Sequence, residues 1–500
     1  MKYPPPFFFD TLESMIDQKN PILTAAQTKE WEKLTVQQGF ETFESLMEKA
    51  GTAVTQEIIQ AFPKGKVLVL CGPGNNGGDG YVIARKLKEA SFDVTIAVDL
   101  STSPKLSAEA QLNKDKWTGP LIPLDQGDFN ASALIVDALF GTGLERPLSG
   151  LYLETVQKIS AAKAPCVAVD IPSGLNADTG EIMGSAASAH LTVTFGSLKR
   201  GHVLLPGENY CGEIKVADIG FSDHSALKEP FPYENTPVLW RNSLPAPKPT
   251  DHKYTRGHLM VIAGKDMTGA PRLAAEASRR IGAGMTTLLC PESVKDLYQV
   301  STLGTLVKSY TTLKDFTETI TQKTVHGLLI GPGLLPSDDT RALVEIALKT
   351  KKKIVLDAGA LSCFQDHKAR LMDLLHNTCV LLPHDGEFQR LFEHCGTKIE
   401  TTLKAAKDSQ ATLLLKGADT VIAAPDGTCY INTNAPATLA TAGTGDVLAG
   451  LVGGLIVQGN APLVSTAAAT WIHAESAHLF GRGLIAEDLL QEIPLVLQDL

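Results

Sequence analysis

Short, unbroken apolar runs, each stopping at a cluster of glycine, asparagine or aspartate, constrain this chain more than any other feature. Val67-Leu68-Val69-Leu70-Cys71 is such a run, and it delivers the chain into Gly72-Pro73-Gly74-Asn75-Asn76-Gly77-Gly78-Asp79-Gly80. With no polar face to offer water, a run of this length reads as a strand covered on both sides, the condition of strands in parallel sheets. Comparable runs at Val94 to Val98, Leu134 to Asp137, Val167 to Asp170 and Leu191 to Phe195 are separated by stretches long enough for helices. The pattern predicts a doubly wound, Rossmann-like α/β domain of three layers. A helix is expected from Tyr81 to about Ala90. Ahead of the first strand, Thr24-Ala25-Ala26-Gln27 has the spacing of a capping box, and Leu46, Ala50, Ala53, Val54 and Ile58 keep a helical rhythm.

Ligands of open α/β sheets bind at the carboxyl ends of the strands, and two of these strands end in carboxylates, Asp137 and Asp170. Both are therefore expected to face one crevice with the Asn/Gly loop. Asp137 is followed by Ala138-Leu139-Phe140-Gly141-Thr142-Gly143-Leu144-Glu145-Arg146-Pro147, and Asp170 by Ile171-Pro172-Ser173-Gly174-Leu175. Amide, carboxylate, hydroxyl and turn carbonyl are hard oxygen donors with little net charge, a set that suits a monovalent cation better than zinc. Taken singly, each loop also reads as helix caps and turn residues.

From Phe221 to Arg256 the chain carries Pro230, Pro232, Pro237, Pro245, Pro247 and Pro249 without sustained periodicity, and 223–255 reads as a linker between domains at 1–222 and 256–500. A second α/β alternation follows. Leu259 to Ala263 leads to Gly264, Leu328 to Ile330 to Gly331-Pro332-Gly333, and Ile354 to Leu356 to Asp357-Ala358-Gly359. Val380 to Leu382 leads to Pro383-His384-Asp385-Gly386-Glu387, and Thr412 to Leu415 to Lys416-Gly417-Ala418-Asp419-Thr420. A hairpin is expected across Pro425-Asp426-Gly427-Thr428. Then comes Ala442-Gly443-Thr444-Gly445-Asp446-Val447-Leu448-Ala449-Gly450. Glycines let backbone N–H groups at a helix start face a phosphate, and Asp446, a poor phosphate ligand, suits the base that takes a proton from an attacking hydroxyl. A glycine helix cap followed by an ordinary N-terminal Asp is the alternative. His473, Glu475 and His478 resemble a metal motif, but histidines five apart lie on different helix faces. His384 reads as a substrate contact or a satisfied core histidine.

The chain has 500 residues and a formal net charge of −10 with no Lys/Arg block, which argues against nucleic acid as the main partner. Eight cysteines without a Cys-x-x-Cys pair indicate neither zinc nor a disulfide framework and suit a reducing cytoplasm. The start, Met1 to Asp10, is too proline-rich for a signal peptide, and the apolar run Val447 to Val457 is too short to span a bilayer, so no membrane role is expected.

The Gly72 to Gly80 loop, Asp137-Ala138-Leu139-Phe140-Gly141-Thr142-Gly143 and Asp170-Ile171-Pro172-Ser173-Gly174-Leu175, in that order, closely resemble the YjeF N-terminal domain, an NAD(P)H-hydrate epimerase. Gly331-Pro332-Gly333, Asp357-Ala358, Pro383-His384-x-Gly386-Glu387, Lys416-Gly417 and Gly443-Thr444-Gly445-Asp446 resemble the ribokinase-like NAD(P)H-hydrate dehydratases. Together these motifs resemble the bifunctional nicotinamide nucleotide repair family. The resemblance implies that R and S forms of hydrated NADH or NADPH (NADHX, NADPHX) are interconverted by the first domain. The S form is then dehydrated by the second at the expense of ADP. It also implies that Asn75, Asn76, Gly77, Gly78 and Asp79, with Gly141, Thr142, Gly143, Leu144, Glu145, Arg146 and Pro147, hold the hydrate, that Asp170 acts on it, and that Asn76, Asp137 and Ser173 bind potassium. In the second domain Ala270, Gly333, His384 and Asp446 would contact the hydrate. Lys416, Gly417, Ala418, Asp419, Thr420 and Gly445 would hold the nucleotide, which enters with Mg2+. A homo-oligomer, tetramer or larger, is expected on the same ground. Asp385 stands where the dehydratase pattern usually has proline, and Tyr254 where it has glycine. The competing readings are a ribokinase-class small-molecule kinase, whose phosphorylated product would accumulate, and a non-catalytic YjeF-like binding scaffold.

Overall fold

The computed structural model describes residues 19–101, 106–227 and 230–500, so the Met1 to Asp10 stretch lies outside the described residues. Two compact units emerge, one spanning Asn20–Phe231 and the other built on Pro232–Leu500.

The first unit holds β1 (Ile22–Leu23), β2 (Lys66–Cys71), β3 (Asp93–Val98), β4 (Leu121–Pro123), β5 (Leu134–Ala138), β6 (Cys166–Val169), β7 (Leu191–Phe195), β8 (Leu198–Lys199) and β9 (Glu213–Ala217). Seven of them form one sheet in the order β4-β3-β2-β5-β6-β7-β9. Every neighbouring pair in it is parallel. The period of two along β2 sends Val67, Val69 and Cys71 to one face and Leu68 and Leu70 to the other. The first set packs with Leu46, Ala50, Val54 and Ile58 of the Phe43–Ala61 helix, the second with Val156 and Ile159 of the Gly150–Ala161 helix. This is the expected three-layer, doubly wound architecture. From β2 the chain winds outward through β3 and β4 and returns to β5 on the other side of β2, so the sheet reverses direction between β2 and β5.

The helix expected to begin at Tyr81 begins at Asn75. A Cβ at Gly77 would lie 2.0 Å from the Gly72 carbonyl oxygen, so only glycine fits in that first turn. Glycine carries no apolar periodicity, which is why the sequence pattern starts the helix a turn and a half late.

The second unit holds β10 (Tyr233–Glu234), β11 (His258–Ile262), β12 (Met285–Pro291), β13 (Leu306–Tyr310), β14 (Gly327–Ile330), β15 (Lys353–Leu356), β16 (Cys379–Leu381), β17 (Thr412–Leu415), β18 (Val421–Ala423) and β19 (Cys429–Ile431). They form one sheet in the order β10-β19-β18-β17-β16-β15-β14-β11-β12-β13. The strands from β11 to β17 run parallel, and β18 and β19 form the antiparallel hairpin expected from the Asp426-Gly427 turn. Here the direction reverses between β11 and β14.

The stretch 223–255 is not the free linker that its prolines suggest. Tyr233 and Glu234 pair with β19, and the Trp240 side chain is 1% exposed. Asn235 donates from Nδ2 to Asn432 Oδ1 (2.9 Å) and to the Ala467 carbonyl (2.8 Å), and accepts at Oδ1 from Trp240 Nε1 (3.1 Å). On the other side of the division, the His224 ring lies against Trp31 with centroids 6.2 Å apart. Proline and missing periodicity report the lack of a regular helix or long strand; they do not report the lack of packing, which here runs through single anchored side chains.

Candidate functional site

At the β2/β5 reversal the two loops touch backbone to backbone. A Cβ at Gly72 would lie 1.7 Å from the Leu139 carbonyl oxygen. Asn76, in the first turn of the Asn75–Glu89 helix, is 8% exposed, and its Nδ2 has no hydrogen-bond partner among the described residues. A Cβ at Gly141 would lie 3.2 Å from Asn76 Oδ1 and 3.4 Å from Asp170 Oδ2. Asn76, Gly141 and Asp170 therefore converge, with an unsatisfied amide among them.

Asp170 sits at the end of β6 with φ of 66°, a left-handed conformation costly for aspartate, and its N–H donates to the Val193 carbonyl at 2.8 Å. Its Oδ1 accepts from Lys199 Nζ at 2.7 Å and Thr194 Oγ1 at 2.9 Å, which leaves Oδ2 on the Gly141 side. Lys199 is wholly buried and donates also to Thr194 Oγ1 (2.7 Å) and the Phe195 carbonyl (3.1 Å), so three acceptors surround its ammonium. Burial alone would raise the Asp170 carboxyl, but Lys199, with help from His202 and Thr194, outweighs it and holds the group below the usual range. Burial, then the charges of Asp170 and Glu32, push Asp79 well above that range. Two buried carboxyls near enough to feel each other's charge, with opposed proton affinities, are ingredients of acid–base work.

Asp137 is fully buried and accepts from Ser173 N (2.8 Å), Ser173 Oγ (2.7 Å) and Leu139 N (3.3 Å). Burial still raises its carboxyl against those bonds, and no cationic side chain pairs with it among the described residues. Ser173 Oγ accepts in turn from Phe140 N at 2.9 Å, which ties it to the residue before Gly141. A buried carboxylate without a countercharge, beside a hydroxyl and an amide, fits a monovalent cation.

Of the remaining expected residues, Asn75, Gly143, Glu145, Arg146 and Pro147 are exposed and Thr142 is half-buried, whereas Gly77 and Gly78 are buried under the loop. Leu144 packs into the core with Leu139 and Leu148, so its side chain is structural. Lys199, Thr194, His202 and Glu32 went unnoticed in the sequence. The signal for Lys199 is a lysine two residues past a glycine-serine turn that follows an apolar run, where no exposed helix face exists to receive it.

In the second unit the Thr444–Val457 helix packs along the Gly269–Arg280 helix. A Cβ at Gly450 would lie 2.2 Å from the Ala274 carbonyl oxygen, and one at Gly454 2.6 Å from that of Ser278. The contacts advance four residues on both helices, so the two run parallel and their first turns, which carry Asp446 and Ala270, lie at the same end of the pair. Gly333, with φ of 74°, would place a Cβ 2.4 Å from the Met267 carbonyl oxygen and thus borders the same end. Gly443 caps the helix with φ of 92°, and Asp446 lies in its first turn.

Asp357, at the end of β15, is 2% exposed and accepts from Lys416 Nζ at 2.6 Å. Lys416 Nζ lies 3.8 Å from where a Cβ on Gly445 would stand, which puts the ammonium at the helix N-terminus. Burial, and then the charge of Asp357, raise Asp446 to about 6 against the pull of Lys416. A helix N-terminus, a lysine and a carboxyl whose proton affinity approaches neutrality can together hold a phosphoryl group and take a proton from its acceptor.

The 416–420 loop is closed on itself. Thr420 Oγ1 donates to the Gly417 carbonyl at 2.6 Å and accepts from Gly417 N at 3.2 Å, and Asp419 is held by Lys398. The Thr420 side chain is thus spent within the loop and that of Asp419 on Lys398 of the Lys398–Ser409 helix, leaving Lys416 and the loop backbone to face a ligand. His384 is not a core histidine. It caps the Asp385–Leu391 helix, accepting at Nδ1 from Glu387 N (3.3 Å), with its ring 58% exposed. His473 is buried with Nε2 2.9 Å from the Thr444 carbonyl, while Glu475 accepts from Asn434 Nδ2 at 3.3 Å, so the apparent metal motif is divided among structural bonds.

Comparison with known proteins bears on both units. The family model described as NAD(P)H-hydrate dehydratase matches residues 259–494, and that of the YjeF-related protein N-terminus matches residues 43–201. The bifunctional NAD(P)H-hydrate repair enzyme Nnr of Moorella thermoacetica is 35% identical over 96% of this chain and 97% of its own. The enzyme of the same name from Escherichia coli is 34% identical over 77% of this chain and 75% of its own. Among solved structures, the ADP/ATP-dependent NAD(P)H-hydrate dehydratase of Bacillus subtilis, co-crystallized with ATP and Mg2+, is 28% identical with a TM-score of 0.47, covering 53% of this chain and 98% of that one. With a family model on each unit and curated relatives spanning nearly its whole length, the chain belongs to the bifunctional NAD(P)H-hydrate repair enzyme family.

Proposed function

We propose that this chain repairs hydrated NADH and NADPH in two steps, one in each unit. The first unit interconverts the R and S forms; the second dehydrates the S form, consuming ADP and releasing AMP and phosphate. The observation that carries the reading is Asp446, held at about 6 at a glycine-capped helix N-terminus with Lys416 beside it. Hydroxide is a poor leaving group and phosphate a good one. In this reading Asp446 takes the proton of the substrate hydroxyl as its oxygen attacks the terminal phosphoryl group of ADP. Lys416 and the Gly443 to Gly445 backbone neutralise the group in transit, and elimination then releases phosphate. Ala270, Gly333 and His384 border the hydrate, and the 416–420 backbone with Gly445 holds the nucleotide. Mg2+, arriving with ADP, screens its phosphate charges.

In the first unit Asp170 is the proton-handling group, kept ionised by Lys199, and the unsatisfied Asn76 amide with the Gly141 to Pro147 loop positions the hydrate. Potassium, held by Asn76, Asp137 and Ser173, would supply the charge that the buried Asp137 lacks. A reducing cytoplasm suits the eight free cysteines. Assembly into a tetramer or larger oligomer belongs to the same reading, supported by the exposed Val300, Leu303 and Leu306 at the β13 edge of the second sheet. Sedimentation tests it.

The deciding experiment mixes the protein with both hydrate epimers, ADP and potassium and follows the absorbance of reduced nicotinamide. Complete conversion is expected. Accumulation of a phosphorylated substrate without restored NADH would instead make the second unit a small-molecule kinase.

A further inference from the structure

Asp357 belongs to none of the groups so far assigned to substrate or nucleotide, yet its backbone and its carboxylate are both tightly held. Its own peptide is pinned from both sides. A Cβ at Gly331 would meet the Asp357 carbonyl oxygen at 1.7 Å, and the next residue, Ala358, is forced to φ of 45°, a conformation that costs an alanine energy. Ala358 N then donates to Asp357 Oδ1 at 2.8 Å, which fixes the carboxylate plane, and Lys416 Nζ donates to the same oxygen at 2.6 Å. The lysine is anchored at its other end too, since Lys416 N donates to the Pro383 carbonyl at 2.9 Å. A flexible four-carbon stem is thereby held at both ends, with its ammonium 3.8 Å from the Cβ position of Gly445.

We propose that Asp357 is a positioning residue for the phosphoryl-transfer step: through its ion pair it holds the Lys416 ammonium at the N-terminus of the Thr444–Val457 helix, in the turn that carries Asp446. This inference rests on the proposed function and adds a residue to it. Strain at Ala358 and the absence of room at Gly331 show that the carboxylate is aimed at some cost, a feature of groups whose placement matters. Holding the lysine in advance removes rotamer entropy that would otherwise be lost as the charge develops.

Asp357 and Lys416 are the two charged groups that act on Asp446, in opposite senses, alongside burial. The elements packed around it contribute no other. On the Pro462–Phe480 helix, burial pushes His473 down to about 4, so its ring is neutral in the working range. On the Gly269–Arg280 helix, Arg272 is turned onto Thr268. On the Ala486–Gln498 helix, Asp488 accepts from Ile485 N and Glu487 is exposed.

The test uses full-length Asp357→Asn and Lys416→Met proteins and two measurements: the pH profile of dehydration at saturating ADP, and the carboxyl titration of Asp446 by carbon NMR in the ligand-free protein. Asn keeps the acceptor for Ala358 N and removes the charge. In Asp357→Asn the acid limb and the NMR midpoint should both move down by about one pH unit, kcat should fall at least about tenfold, and the dissociation constant for ADP should stay within about threefold. In Lys416→Met the midpoint should move up. Opposite shifts are a signature that general loosening of the fold does not produce, and if the asparagine variant does not fold, Asp357→Glu decides the matter: it keeps the charge but displaces the carboxylate from Ala358 N and Lys416 Nζ, so kcat should fall at least about tenfold, and a kcat within threefold of the parent overturns the inference. An unchanged or rising midpoint in Asp357→Asn, a falling one in Lys416→Met, or a kcat within threefold of the parent overturns the inference. If the parent protein fails to dehydrate the hydrate, the functional reading fails, and the NMR midpoints still decide the inference about Asp357.

Discussion

Replacing Gly72 by alanine tests whether the first site depends on the contact between the β2 and β5 loops. The added methyl would stand 1.7 Å from the Leu139 oxygen, 2.6 Å from its carbonyl carbon and 2.9 Å from its Cα, all backbone atoms with no side-chain torsion to absorb the strain. An ordinary contact needs the loops to part by roughly 1.5 Å, and overpacking of this kind costs up to about 3 kcal/mol. For a unit of this size that lowers the melting temperature by roughly 6–12 °C. The moving atoms carry Asn76 on one side and Gly141 on the other, and a misplacement of about 1 Å costs on the order of a hundredfold in rate. Scanning calorimetry should show the drop, and an R/S interconversion assay should show the loss, while dehydration of pure S hydrate stays near the parent rate. A melting temperature within about 2 °C of the parent together with interconversion within threefold would refute the reasoning.

Asp446→Asn is expected to abolish dehydration and leave interconversion intact, and dehydration by the parent should decline as pH falls through about 6, because the base must be ionised. The same substitution has a stability signature. A carboxyl raised above its unfolded value contributes its stability at low pH and loses it as pH rises through the folded value, so the amide variant should melt higher than the parent at pH 8 and alike near pH 4. Lys199→Met leaves the mostly buried Asp170 carboxylate without its cation, a loss of about 3–5 kcal/mol that thermal melting would read. Asp170→Asn should stop interconversion without weakening ADP binding by calorimetry. A fragment beginning at Pro237 lacks β10 and the bonds of Asn235 to Asn432, Ala467 and Trp240, and should be less stable by about 3 kcal/mol than one beginning at Pro232. Equal denaturation midpoints for the two fragments would contradict the structural role given to that strap.

The alternation of apolar runs and polar turns was enough to recover the central strands of the two large sheets, the loops at their ends and the hairpin at Gly427, because each of those features is written in a few consecutive residues. Runs bounded by glycine reveal strands, and a carboxylate just past a strand end reveals which edge of the sheet receives a ligand. The short edge strands β4, β9 and β13 and the two-residue β10 escaped, since half-exposed or very short segments carry little apolar signal. The 223–255 stretch was misread for a related reason: composition reports regularity, and Trp240 and Asn235 are anchored one at a time.

What the sequence determined by itself is the class of fold, the strand-end loops and the chemical kinds of group available at each crevice. What only the tertiary structure decided is which of those groups act on one another. Lys199 reaches Asp170 across 29 residues of chain and Lys416 reaches Asp357 across 59. Those pairings set the proton affinities of Asp170 and Asp446, since the field at a buried group comes from whatever the fold brings within a few ångströms. Leu144, Asp419 and Thr420 stand in motifs that point at ligands, yet their side chains are consumed by the core, by Lys398 of a neighbouring helix and by their own loop. That distinction rests on burial and long-range hydrogen bonding, which a local pattern of residues does not contain.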